Sequence, residues 1–170
     1  QHNNHWKVVG NSHQLVSLLA EYDGVFVAIG NNQIRQIKLR ELEQVNAPIV
    51  TLIHPAATIS SYANIGKGTV IMAGANINID VSIGDGCIIN TGACVDHDCS
   101  LGRCVHLSPG VSLSGSVTLM DGVWMGIGSC ARQLIVIGHN AVIGAGAVVV
   151  KDVEGCNTVV GNPARILNRK

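Results

Sequence analysis

The stretch INIDVSIGDGCII at residues 77–89 carries an isoleucine at every sixth position. The same spacing of aliphatic or small apolar residues runs without interruption from residue 59 to residue 149. It comprises Ile59, Ile65, Ile71, Ile77, Ile83, Ile89, Val95, Leu101, Leu107, Leu113, Leu119, Met125, Ala131, Ile137, Ile143 and Val149. A helix repeats after about 3.6 residues and an amphipathic strand after about two, so neither produces this spacing. The repeat predicts a short strand followed by a corner, wound into a parallel β-helix.

A second position in each hexad supports this architecture. The fourth residue after the aliphatic one is small or β-branched, and Ile135 is the large exception. Glycine often follows the aliphatic residue directly, as at Gly66 and Gly84, where we expect a corner to require backbone angles that a Cβ would resist. Three hexads per coil give roughly 18 residues and about five coils, stacked at about 4.8 Å around one apolar column.

Composition limits the classes of protein to which this chain can belong. The 170 residues carry no formal net charge and no basic stripe with interleaved aromatic residues, so we predict no nucleic-acid partner. No apolar run approaches the length of about 18 residues that a membrane span needs, so we predict no span. The six cysteines form no C-x-x-C pair, and Cys87 and Cys99 occupy the small position of a hexad. We expect reduced, mostly structural thiols in a cytoplasmic protein.

Residues 12–53 follow a different pattern. Ser12 is placed to cap a short helix, and residues 25–29 (VFVAI) are typical of a buried parallel strand. A polar helix over about residues 33–44 then leads to a second strand at residues 49–53. Strand, turn, helix and strand make a βαβ unit, and ligands of such units bind at the carboxyl ends of the strands.

The turn of this unit, Gly30-Asn31-Asn32, is therefore a candidate binding site, with Gly30 and Asn31 as its contacts. The alternative is that glycine and asparagine occur here only because their backbone conformations suit a turn, with no role in binding. We predict two domains, a partial Rossmann-like domain at residues 1–54 and the β-helix at residues 55–170. Because the chain starts at Gln1 in polar sequence, we expect a further piece upstream.

Two histidines, His97 and His106, fall on outward positions of the coil. Asp96 and Asp98 flank His97, and a carboxylate beside an imidazole orients the ring and favours its protonated form, which suits a general base. We expect Asp96 to be a plain exposed acid, because residues on either side of His97 point in different directions along a strand. The alternative for either histidine is a solvated surface residue.

His97 and His106 are nine residues apart, which is half of a coil of roughly 18 residues, so the two side chains lie on opposite sides of one protomer. They can share a site only across an interface, and a threefold arrangement of parallel prisms would bring them together. The spacing therefore predicts a homotrimer. His139 also points outward, and three such histidines raise a zinc alternative of the γ-carbonic anhydrase kind. Their spacing matches no ligand pattern, so we predict no metal.

Seven short motifs occur in one order along the chain. They are V-A-I-G-N-N-x-x-R at residues 27–35, L-I-H-P at 52–55, I-I-N-T at 88–91, V-D-H-D-C at 95–99, V-H-L-S-P-G at 105–110, M-G-I-G-S at 125–129 and V-x-G-x-P-A-R at 159–165. Together they resemble the sugar acetyltransferases of the PglD/NeuD type, which are acetyl-CoA-dependent hexapeptide-repeat enzymes. The resemblance covers about residues 25–165. It implies a mainly β fold, a left-handed parallel β-helix preceded by part of a small Rossmann-like domain that binds a nucleotide sugar.

The resemblance also implies roles for individual residues. His97 matches the catalytic base, and Asp98 matches the acid that raises its basicity, although the family often has glutamate there. Acetyl-CoA is the implied co-substrate, and His106, Ile127 and Ala145 match its contacts.

Gly30 matches a contact to the UDP-sugar, and Asn90 is placed either to help position the nucleophile or to hydrogen-bond only its own corner. The family's G-x-S-G-H loop, which helps to bind the nucleotide, is absent here. The implied reaction transfers acetyl from acetyl-CoA to the 4-amino group of a UDP-linked amino sugar, on a route of the UDP-N,N'-diacetylbacillosamine type. Two alternatives stay open, a sialic acid O-acetyltransferase and a non-catalytic trimer that binds a nucleotide sugar.

Overall fold

A computed structural model describes residues 2–167 and confirms the predicted parallel β-helix. Short strands alternate with corners, and every third strand stacks in parallel on an earlier one, which builds three flat faces. Face A contains Thr58–Ile59, Asn76–Ile77, Cys94–Val95, Ser112–Leu113, Cys130–Ala131 and Val148–Val149. Face B contains Asn64–Ile65, Ser82–Ile83, Ser100–Leu101, Thr118–Leu119 and Val136–Ile137. Face C contains Leu52–Ile53, Val70–Ile71, Ile88–Ile89, His106–Leu107, Trp124–Met125, Val142–Ile143, Thr158–Val160 and, antiparallel to the last of these, Arg165–Ile166.

Stacked strands of the coil lie 18 residues apart, as in the pairing of Cys94 with Ser112. The array makes about six turns, one more than the hexads alone predict. The extra turn comes from both ends, because Leu52–Ile53 pairs in parallel with Val70–Ile71 before the first hexad and Thr158–Val160 pairs in parallel with Val142–Ile143 after the last. A separate antiparallel pair is formed by His2–Asn3 and Trp6–Lys7.

The aliphatic residues of the hexads point inward and form the predicted apolar column along the axis. Ile71, Ile89 and Leu107, which stack in face C, are fully buried. Residues at the small position are buried with them, and Ile135 also fits inside at 2% exposure. The two cysteines predicted at that position, Cys87 and Cys99, are likewise buried. Close packing of this column supplies a core despite the scarcity of aromatic residues.

The left-handed backbone conformation falls on a different residue from the one we predicted. It lies three residues after the aliphatic position, as at Gly86 (φ +68°) and Asp98 (φ +59°). Gly66 and Gly84, which follow the aliphatic residue directly, do not have positive φ, so that expectation was wrong. They are required by close packing instead, because a Cβ on Gly84 would lie 2.8 Å from the backbone carbonyl carbon of Gly102 in the next coil.

Two helices precede the coil. Helix α1 spans Ser12–Leu18 and continues as the 3-10 turn Leu19–Glu21, and helix α2 spans Asn32–Gln44. Asn11, rather than the predicted Ser12, caps α1, because its side-chain oxygen accepts hydrogen bonds from two backbone N–H groups of the first turn.

The strands predicted in this N-terminal unit are shorter than expected. Residues 25–29 contribute one parallel bridge, which joins Val25 to Ile49. Leu52–Ile53, predicted to end the second strand, belongs to face C, since its backbone groups pair with the coil. The predicted domain division between residues 54 and 55 stays a prediction.

The N-terminal unit docks on carbonyl groups at the corner between faces B and C. Gly86, Cys104 and Gly122 hold the left-handed position there in three successive coils, and their carbonyl oxygens accept no other backbone hydrogen bond from the described residues. We call these three groups the corner carbonyl ladder. Arg35 donates to Gly86 from Nε (2.6 Å) and to Cys104 from Nη2 (2.8 Å), and Asn32 donates from Nδ2 to Gly122 (2.9 Å).

Arg35 is fully buried and is bonded to neutral partners. Its Nη1 donates to the carbonyls of Ile29 (2.9 Å) and Gly30 (3.0 Å), and its Nη2 also donates to Asn32 Oδ1 (2.8 Å). Two of its five hydrogen bonds reach the coils and three hold the turn at Gly30 and the start of α2, so this side chain links the two parts. Burial lowers the pKa of Arg35, but a guanidinium keeps its charge near neutral pH.

Replacing Arg35 with lysine tests this docking. Lysine keeps the charge but loses the planar fork, so buried carbonyls are left without donors at about 1–3 kcal/mol each. We expect Arg35→Lys to weaken docking by at least about 2 kcal/mol, seen as faster amide hydrogen exchange in α2 with face A unchanged. Lys38→Gln on the same helix is the control, because the exposed Lys38–Glu41 pair is worth about 0–1 kcal/mol. Equal exchange in the two variants would contradict this prediction.

Candidate active site

His97 and Asp98 lie together at the corner between faces A and B. The ring atom Nδ1 of His97 is 2.7 Å from Oδ2 of Asp98. In an extended chain, adjacent side chains point to opposite sides, but the left-handed conformation of Asp98 turns its carboxylate back towards the ring. This corner geometry therefore places the predicted base and the predicted acid in contact.

The pair defines which nitrogen of His97 can act as a base. An ionised carboxylate only accepts hydrogen bonds, so Nδ1 carries the proton and Nε2 of the neutral ring keeps its lone pair. The hydrogen bond to Asp98, followed by the charge of Asp96, raises the pKa of His97 above its usual value of 6.5. The His97 side chain is 52% exposed, so a reacting group can approach Nε2.

Asp96 forms hydrogen bonds within the protein, whereas we predicted a plain exposed acid. Its Oδ1 accepts a hydrogen bond from Asn78 Nδ2 (2.9 Å) in the preceding coil and from the backbone N–H of His97 (2.8 Å). These bonds, the one from His97 first, lower the pKa of Asp96. The expectation failed because Asp96 closes its own corner by bonding the next N–H, so it fixes the backbone from which the His97 ring projects.

Gly115 was not singled out by the sequence patterns, yet it contacts the His97 ring. It lies 18 residues after His97 and therefore directly beside it in the next coil. A Cβ on Gly115 would lie 2.5 Å from Cε1 and 2.6 Å from Nε2 of His97. The signal that could have found it is a glycine one coil after an outward histidine.

His106 lies on face C and is buried, in contrast to the solvated alternative for an outward histidine. Its ring stacks on Trp124 of the next coil, with centroids 4.9 Å apart and planes 15° apart. The N-terminal unit covers it, and its Nδ1 has no hydrogen-bond partner among the described residues. Burial, followed by the charge of Arg35, lowers the pKa of His106, while the backbone of Gly30 acts in the opposite direction. Burial and Arg35 therefore favour the neutral form of the His106 ring.

The other predicted contacts lie at the corner between faces C and A and in the N-terminal unit. Ile127 and Ala145 are both exposed at the corner between faces C and A, one coil apart. Asn90 uses its Oδ1 to accept from the N–H of Thr91 (2.8 Å), which is the corner-bonding alternative that we considered. At the turn of the N-terminal unit, Asn31 caps α2 by accepting from the N–H of Ile34.

Within one protomer the predicted residues therefore form two groups. His97 and Asp98 occupy the A–B corner, whereas His106 lies on face C and is covered by the N-terminal unit. A groove of about 730 Å³ runs along face A and is lined beside the first group by Asp96 and Arg132. The single chain does not bring the two groups together.

Among residues 2–167, no three His, Cys, Asp or Glu side chains are arranged to hold a metal ion. The zinc alternative thus has no ligand cluster in the described structure. The same part of the chain contains no helix that is long and apolar enough to cross a membrane.

Comparison with known proteins places this geometry in a family. A histidine-to-asparagine mutant of perosamine N-acetyltransferase from Caulobacter crescentus, solved with CoA and GDP-perosamine, is 38% identical and has a TM-score of 0.96. The alignment covers 99% of this chain and 81% of that one. The chain belongs to the PglD/NeuD-type sugar acetyltransferases. These are acyltransferases with a left-handed β-helix, so the predicted hand and family are confirmed.

Other members of the PglD/NeuD-type family agree. The acetyltransferase domain of PglB from Neisseria gonorrhoeae, in complex with acetyl coenzyme A, is 41% identical with a TM-score of 0.93, over 98% of this chain and 81% of that one. The family model for the PglD N-terminal domain matches residues 1–42. The UDP-N-acetylbacillosamine N-acetyltransferase of Bacillus subtilis is 47% identical over 28% of this chain and 22% of its own length. The matched segment of the chain covers 13 to 29% of the length of the first curated relatives that it matches.

Titration of the two histidines by NMR checks the electrostatics of the site. We expect His97 to titrate above 6.5, because its protonated form is stabilised by Asp98 and Asp96, and His106 to titrate below 6.5, because burial disfavours its charge. Asp98→Asn should lower the pKa of His97 and leave that of His106 in place. An equal pKa of His97 in the parent chain and in Asp98→Asn would contradict the contact between His97 and Asp98.

Proposed function

We propose that this chain transfers the acetyl group of acetyl-CoA to the amino group of a nucleotide-linked amino sugar, with His97 as the general base. The observation that carries the proposal is the contact between His97 Nδ1 and Asp98, which leaves Nε2 free on an exposed ring. The proposal is also supported by similarity, because the chain is about 40% identical, over nearly its whole length, to N-acetyltransferases solved with CoA or acetyl-CoA.

The proposed reaction is a direct acyl transfer. The sugar amine attacks the thioester carbonyl carbon, a C–N bond forms, the C–S bond breaks, and CoA leaves with the sulfur. His97 Nε2 takes the proton that the attacking nitrogen loses, and Asp98 stabilises the imidazolium that results. The imidazolium then gives this proton to the leaving thiolate, so CoA departs as the thiol and the neutral base is restored. Because proton transfer at the base requires a neutral ring, kcat/KM should fall as the pH drops through the raised pKa of His97.

No covalent acyl-enzyme is part of this proposal. The chemistry of the buried thiols supports that choice, since burial raises the pKa of Cys87 to about 12 and also raises those of Cys99 and Cys104. A thiol is nucleophilic only as the thiolate, so these three side chains are unreactive near neutral pH.

For acetyl-CoA we propose contacts from His106, Ile127 and Ala145. His106 supplies a buried ring that stacks on Trp124, and the two corner residues expose apolar surface one coil apart. For the acceptor we propose Gly30 and Asn31, with a further contribution from Asn90. Gly30 faces open space, as no described atom lies within 4 Å of where its Cβ would be.

We propose a UDP-linked 4-amino sugar as the acceptor. The match of residues 1–42 to the PglD N-terminal domain and the Bacillus subtilis relative support this choice. The Caulobacter crescentus enzyme was solved with GDP-perosamine, so the decisive assay offers both UDP- and GDP-linked 4-amino sugars with acetyl-CoA. Release of CoA thiol is followed, and sialic acid serves as the hydroxyl acceptor. If CoA thiol is released with sialic acid and with none of the amino sugars, the reaction is O-acetylation rather than N-acetylation. If no acceptor leads to thiol release, the result points to a binding protein.

His97→Ala tests the base. We expect turnover to fall by roughly 10² to 10⁴, with little change in KM for acetyl-CoA, because the loss affects proton transfer rather than binding. Asp98→Asn should lower turnover by a smaller factor than His97→Ala, and it should shift the low-pH fall of kcat/KM to lower pH. His139→Ala, which removes another exposed corner histidine, is the matched control and should keep parental turnover. Wild-type turnover in His97→Ala would remove this residue from the mechanism.

We also propose that the complete site spans two subunits of a homotrimer, because His97 and His106 occupy different sides of one protomer. Mixing His97→Ala chains with His106→Ala chains should then restore activity in grooves that combine one intact residue from each parent. The impairment of His106→Ala alone is measured first. An active monomer by light scattering, or no recovery in verified mixed trimers, would overturn the shared site.

A further inference from the structure

We infer that Gly115 is a positioning residue for His97, because its missing side chain leaves the space in which the imidazole lies. A Cβ at this position would lie 2.5 Å from Cε1, 2.6 Å from Nε2 and 3.1 Å from Nδ1 of His97. Ordinary van der Waals contact begins at 3.4 Å. Any larger residue at position 115 therefore competes directly with the ring.

The backbone conformation of Gly115 gives no other reason for glycine. Its φ lies outside the left-handed region, and the next residue, Ser116, takes the left-handed position of that corner with φ +58°. The backbone here suits an L-amino acid, so the His97 ring is what a side chain at residue 115 would meet.

Hydrogen bonds hold the backbone under the His97 ring. The N–H of Ser116 donates to the carbonyl of His97 (2.9 Å), and the carbonyl of Gly115 accepts from the N–H of Leu134 (3.1 Å). These bonds hold the corner of Gly115 between the coils on either side, so the backbone cannot retreat from an added Cβ. The imidazole must move instead, by roughly 1 Å, and a shift of that size breaks the alignment of Nδ1 with Asp98.

The chain supplies its own control for this geometry. His139 lies against Gly155 much as His97 lies against Gly115, and a Cβ on Gly155 would meet Cε1 at 2.7 Å, Nδ1 at 2.8 Å and the backbone oxygen of His139 at 3.0 Å. Gly155 also lacks a positive φ. His139 has no part in the proposed mechanism, so Gly155→Ala imposes a similar steric conflict without touching the proposed base.

The inference rests on the proposed role of His97 for its effect on catalysis, but its first readout is independent of activity. In Gly115→Ala we expect the pKa of His97, measured by NMR, to fall towards 6.5 as the contact with Asp98 is lost. Turnover should fall by about 10- to 100-fold with KM for acetyl-CoA largely unchanged, since a misplacement of about 1 Å at a reacting group has a cost of that order. Gly155→Ala should leave both the pKa of His97 and turnover at parental values.

A double-mutant cycle keeps the inference falsifiable if Gly115→Ala folds poorly. Alanine at residue 97 removes the ring, so Gly115→Ala should lower the urea midpoint in the parental chain and leave it nearly unchanged in the His97→Ala background. Equal shifts in the two backgrounds, or an unchanged pKa of His97 in folded Gly115→Ala, would overturn the positioning role. Wild-type turnover in His97→Ala would instead remove the proposed base, while the cycle and the titration would still report whether Gly115 positions the ring.

Discussion

The 18-residue register between stacked coils is the constraint on which the rest of the structure depends. Backbone hydrogen bonds pair each strand with the strand one coil later, as Cys94 pairs with Ser112, and no side chain can change partners without moving a whole coil. The register places Asn78 on Asp96, Gly115 beneath His97 and Trp124 against His106. Features separated by one coil in sequence thus become direct contacts, and the candidate site is built from such contacts.

The pKa values of the two histidines in the candidate site are shifted by different kinds of surroundings. At the A–B corner, Asp98 and Asp96 surround an exposed imidazole with negative charge and favour its protonated form. On face C, burial and the nearby cation of Arg35 favour the neutral form of His106. The same ring type therefore has a raised pKa in one place, set by the acids of its own corner, and a lowered pKa in the other, set by the docking of the N-terminal unit.

Much of this arrangement could be predicted from the sequence, because a periodic pattern reports directly on which residues face inward. The hexads predicted the coil and its core, and the flanking acids predicted the partner of His97. The same pattern did not single out Asp98 as the left-handed residue, although glycine recurs at the same place in other corners, as at Gly86 and Gly110. Nor could it show the burial of His106 or the role of Arg35, which arise from contacts across roughly 50 to 70 residues of sequence.

The docking of α2 on the corner carbonyl ladder has a consequence for how this architecture can change over evolution. Arg35 and Asn32 bond to main-chain oxygens of Gly86, Cys104 and Gly122, and every residue type supplies such an oxygen. Mutational drift in the outward side chains of the coil therefore leaves these anchor points in place. What must be inherited unchanged is the spacing between them, together with Arg35 and Asn32, so substitutions in the outward side chains of the coil leave the junction in place while insertions and deletions within a coil do not.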